Sequence, residues 1–118
     1  MATKIERSNV TIASAATTSA AVTVPLDKTP LAIVTPAALT GTSFTFEVSD
    51  DGGVTYKPVY KEGTQYSVNV GTSRHIALDE TAFKAAIGGP TTTPTVVKVV
   101  SGSAEGAART LQMVFGIV

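Results

Sequence analysis

The chain has 118 residues, enough for one domain with one modest core. Nine Lys and Arg balance nine Asp and Glu, and a formal net charge of zero argues against a nucleic-acid binder that works through a basic face. There is no Cys, no Trp and a single His, which excludes disulfides, thiol catalysis and zinc held by Cys or by a His cluster.

The first 24 residues are rich in Ala and Thr and poor in large apolar groups. Residues 1–7 carry charges with no apolar block after them, so no secretion signal is expected, and the chain is expected to be made and used without export through a membrane. Residues 10–13 and 20–24 read as weak strands. Segment 1–24 is therefore expected to be an N-terminal arm or a pair of peripheral strands, with residues 25–118 forming a single β-sandwich domain.

Period-two alternation then dominates. Residues 31–35 form a short apolar run. Residues 43–49 put Phe44, Phe46 and Val48 on one face and Thr45 and Glu47 on the other. Residues 56–61 place Tyr56, Pro58 and Tyr60 on one side, and residues 65–70 group Tyr66, Val68 and Val70. Residues 74–78 pair Ile76 with Leu78. Residues 79–87 form the one helical candidate, with an acidic first turn and the apolar pair Phe83 and Ile87 before the Gly88-Gly89-Pro90 stop. Residues 88–94 read as a loop. The β-branched run 95–101 suggests a strand covered on both sides. Leu111, Met113, Phe115 and Ile117 make a closing apolar face.

Turn signals separate these runs at short intervals. The pattern predicts an all-β, jelly-roll-like β-sandwich of about eight short antiparallel strands, with one short helix near 79–88. No run approaches the roughly 18 apolar residues of a membrane helix, so a membrane is not an expected partner.

Chemistry is sparsely signalled. His75 sits in an alternating strand opposite Ile76 and Leu78, and no nucleophile-elbow pattern accompanies it. The nine acids are scattered, and only three Tyr are available as a sugar platform. Residues 49–56, S-D-D-G-G-V-T-Y, resemble an Asp-box hairpin, in which Asp accepts backbone hydrogen bonds and Gly takes positive φ. That pattern reads as a turn, with a calcium site at Asp50 and Asp51 as the minor alternative. No phosphate-cradling glycine motif is present. No catalytic, cofactor-binding or metal-binding residue is assigned, and no cofactor is expected. Arg7, Arg74 and Arg109 are the candidate interface residues, able to pair with a partner's carboxylates.

Only 15% of residues are charged, against about 25% in a typical soluble domain. A neutral, sparsely charged surface gives little protection against association, so the composition suits a homo-oligomer or a protein seated on other protein.

The order of the segments also resembles a known group. The 49–56 hairpin, R-H-I-A-L-D at 74–79, V-S-G-S at 100–103 and A-A-R-T-L at 107–111 are similar to segments of small structural proteins of tailed bacteriophages and prophages. The likeness spans residues 31–118. It implies a virion component. Such proteins are commonly capsid decoration (cement) proteins, jelly-roll-like, dimeric or trimeric, and seated on the outer capsid surface. The expected partners are the major capsid protein shell and copies of the chain itself, with a trimer favoured over a dimer. The alternative is a tail- or fibre-associated binding module that recognises a host-surface glycan. A small hydrolase using scattered carboxylates is the remaining reading.

Overall fold

The computed structural model describes residues 5–25, 28–87 and 95–117. Its first strands are β1 (Ile5–Ile12), β2 (Val22–Thr23), β3 (Lys28–Val34) and β4 (Ser43–Ser49). Short strands follow: β5 (Lys57–Pro58), β6 (Tyr60–Lys61), β7 (Thr64–Gln65), β8 (Ser67–Asn69) and β9 (His75–Ala77). The helix α1 (Glu80–Ile87) precedes β10 (Val96–Ser101) and β11 (Arg109–Ile117).

Two antiparallel sheets form a sandwich. The first has the order β1-β11-β3-β9; the second has β2-β10-β4-β5, with β8 also paired to β4. The pairs β1–β11, β2–β10, β3–β9 and β4–β8 are the rungs of one long antiparallel hairpin. That hairpin is rolled over, so that β11 also pairs with β3 and β10 with β4. The result is the expected antiparallel β-sandwich. Residues 5–24 supply an edge strand to each sheet, β1 and β2.

Alternation decides which side chains fill the gap between the sheets. Val10, Ile12, Ile33, Leu111, Met113 and Phe115 enter from the first sheet. Val22, Phe44, Phe46, Val48, Val97 and Val99 enter from the second. Helix α1 crosses between the sheets, capped by the Asp79 carboxylate, which accepts the Thr81 N–H at 2.9 Å. It buries Phe83, whose ring meets Phe46 edge-on at 5.1 Å and Tyr66 at 5.8 Å. The third pair, Phe46 with Tyr66, is stacked at 5.9 Å. The 88–94 loop lies outside the described residues, as do the side chains of Ile87 and Ile117.

In one stretch the side that the sequence groups together is the wet one. In 56–61 the buried residue is Val59, while Pro58 and Tyr60 face solvent. The run is broken into two short strands. The Val59 N–H donates to Phe46 C=O of β4, whereas Tyr60 starts a separate hairpin, β6–β7. Glu62 and Gly63 carry that hairpin's turn at φ 52° and 79°, as a two-residue type I′ turn requires.

Phe46, on β4, is wholly buried and packs against Tyr66 and against Phe83 of the helix. Phe46→Ala is expected to cost about 3–5 kcal/mol in denaturant unfolding. A near-neutral result would contradict this placement.

Candidate functional site

The four connections that carry the chain between sheets at one end of the sandwich are 13–21, 35–42, 70–74 and 102–108. A crossing leaves backbone groups that no sheet ladder satisfies, and two side chains meet much of that need.

The first is Glu105, wholly buried. Its carboxylate accepts the Thr40 and Gly41 N–H groups at 2.8 Å each, the Ser101 hydroxyl at 2.8 Å and Arg109 Nε at 3.2 Å. Its own backbone bonds to Ala15 and Ala16. Burial opposes ionisation of Glu105, but the Thr40 and Gly41 amides, Ser101 and Arg109 outweigh it and hold the carboxyl below its ordinary range. Gly41 is needed for closeness: a Cβ there would collide with the Ser101 hydroxyl. The second side chain is Thr35. Its hydroxyl donates to Gly71 C=O at 2.6 Å and accepts the Arg74 N–H at 2.9 Å.

The 49–56 turn is a self-contained lock. Ser49 Oγ donates to Asp51 Oδ1 at 2.6 Å and accepts the Gly53 N–H at 2.9 Å. Asp51 Oδ1 accepts the N–H groups of Val54 and Thr55 at 3.1 and 2.9 Å. The Ser49 and Thr55 hydrogen bonds lower the Asp51 pKa from 3.8 to about 2. Beside this turn lies a shallow basin of about 420 Å³, lined in part by Asp50, Lys57, Pro58 and Tyr60. Among the described residues, no group of three or more His, Asp or Glu is placed to hold a metal.

The three arginines singled out in the sequence are not brought together. Arg7 is exposed on β1, one edge of the first sheet, and donates to Gln112 Oε1 at 3.0 Å. Arg74 precedes β9 at the opposite edge, its exposed guanidinium lying against Gly71. Arg109 opens β11 and is committed to Glu105 and to Thr40 Oγ1 at 3.3 Å. His75 is exposed on β9. Glu105 had no legible signal: it sits in the small-residue run 102–107, where alternation has stopped.

The outer faces of the sheets differ in charge. By register, the first sheet turns Ile5, Arg7, Asn9 and Thr11 outward from β1, and Thr110, Gln112 and Val114 from β11. Beside them stand Ala32 and Val34 of β3 and His75 and Ala77 of β9. These strands place no carboxylate on that face. The second sheet carries Glu47 directly across from Lys98, and Lys98 sits 4.3 Å above the Tyr56 ring.

No protein-family model matches the chain, and a search of curated proteins finds none similar to it.

Glu105→Ala is expected to cost about 3–5 kcal/mol in urea unfolding, because it strands Arg109 and two amides at a buried site. A cost below about 1 kcal/mol would show that the crossings hold without it. The Asp51 pKa is depressed on folding, so its stabilisation is present above 3.8 and lost as pH falls through about 2. Carboxyl NMR titration should place its midpoint near about 2; a midpoint at the ordinary 3.8 would contradict the lock.

Proposed function

We propose that this chain is a non-enzymatic virion structural protein, a capsid decoration (cement) protein that binds and stabilises the assembled head of a tailed phage. The observation that carries the reading is the outer face of the first sheet. It is four strands wide, rich in small and uncharged side chains, and without a carboxylate. Such a face loses little hydration when covered by other protein. The most elaborate polar clusters, around Glu105, Thr35 and Asp51, are spent on holding crossings and a turn. The resemblance of residues 31–118 to phage structural proteins points the same way.

In this reading the partners are the major capsid protein shell and copies of the chain, with a trimer favoured over a dimer. Many modest contacts repeated by symmetry supply a tight hold without chemistry. The glycan-binding alternative draws on the basin beside Tyr60, a side chain 55% exposed, with Asp50 and Lys57 as polar groups.

Co-sedimentation with purified shells tests the function. The chain should saturate assembled shells at a fixed copy number and ignore unassembled capsid subunits. Equal binding to subunits, or none to shells, would contradict the proposal. Glycan binding lost on Tyr60→Ala would favour the alternative.

A further inference from the structure

The sheet edges are unequal. Strands β2 and β5 span two residues each, β8 and β9 three, and β1 eight. In an antiparallel strand, the N–H and C=O of one residue point to the same side and successive residues alternate. Thr11 C=O accepts the Ala20 N–H at 3.0 Å, so Thr11 faces away from β11. Asn9, Arg7 and Ile5 therefore face away as well. Among the described residues, no backbone group pairs with theirs. Ala20 occupies the place beside Thr11, which leaves 5–9 as the open stretch. No proline or bulge blunts it, and Ile5 is 51% exposed there.

We propose that this edge receives an extended segment of the shell protein, added to the first sheet as a fifth strand, with an acidic side chain set against Arg7. The proposal rests on the decoration reading and names its contact.

A second copy of β1 is a poor occupant. Two-fold antiparallel pairing centred on the open stretch sets Arg7 against Arg7, and like charges directly opposite are destabilising. Centring on Ser8 drives the incoming Ile5 onto Thr11, where Ala20 already sits. Centring on Glu6 opposes two carboxylates and uses only Ile5 and Arg7. An acidic strand from another protein meets none of these conflicts. Arg7 is the charged side chain among the outward residues of β1, it is oriented by Gln112, and the strands of this face offer it no carboxylate. Strand addition supplies affinity through main-chain bonds and specificity through such alternate side chains.

The test uses shell binding and amide exchange together. Asn9→Pro removes an N–H that β11 does not use, so the monomer should fold while the edge is blocked. Its affinity for shells, and that of Arg7→Glu, should fall by about tenfold or more. Ser67→Ala, on the second sheet, should bind normally. In the wild type, exchange at Arg7 and Asn9 should slow on the shell. Wild-type shell affinity in a folded Asn9→Pro protein would overturn the edge assignment and leave the decoration reading standing. If Asn9→Pro does not fold, unchanged Arg7 and Asn9 exchange in shell-bound wild type overturns it equally. Failure of the wild type to bind shells overturns both.

Discussion

A buried carboxylate holds the crossings of this sandwich together. Rolling a long hairpin into two sheets forces the chain to change sheets repeatedly, and three such crossings meet at Glu105. An ionised carboxylate offers about four acceptor positions, and here amides, a hydroxyl and a guanidinium fill them. Thr35 links the remaining crossing to the β3–β4 connection through Gly71 and Arg74. With that end fastened, the apolar faces of β4, β10 and β11 are held in register over the core. At α1, closure is apolar instead, through the triangle of Phe46, Tyr66 and Phe83.

Alternation was legible wherever a strand has one wholly buried face. Strand β4 spans 43–49 as read, and Leu111, Met113 and Phe115 mark β11. It was not legible at the margins. Strand β1 starts at Ile5, yet Glu6, Arg7, Ser8 and Asn9 give no apolar face, because the inner-face positions of that half, Glu6 and Ser8, are polar and only half-buried. Around Val59 the side shared by Pro58 and Tyr60 is the wet one, which alternation alone does not show. The polar knots were invisible for a different reason. Glu105, Thr35 and Ser49 act on groups chosen by the tertiary fold, and nothing local marks them. The Asp51 turn was partly readable, although its carboxylate reaches amides three and four residues on.

The charge pattern connects this architecture to the proposed role. Ion pairing ties Glu6 to Lys28, Lys61 to Asp79 and Arg109 to Glu105. These pairs link segments distant in sequence or brace a crossing. The outer face of the first sheet keeps Arg7 and His75 near opposite edges and small or amide side chains between them. The open run of β1 borders the same face. A sparsely charged platform beside a strand with one open edge suits attachment to a large, regular protein surface.

The central claim is that this chain is an inert wrapped sandwich that works by being repeated on a shell. Comparing reconstructed images of intact particles with and without it tests that claim most directly. The account predicts added density on the outer surface of the head, repeated by capsid symmetry, with the first sheet and the β1 edge against the shell. Density confined to the tail, or no difference between the two particles, would contradict it.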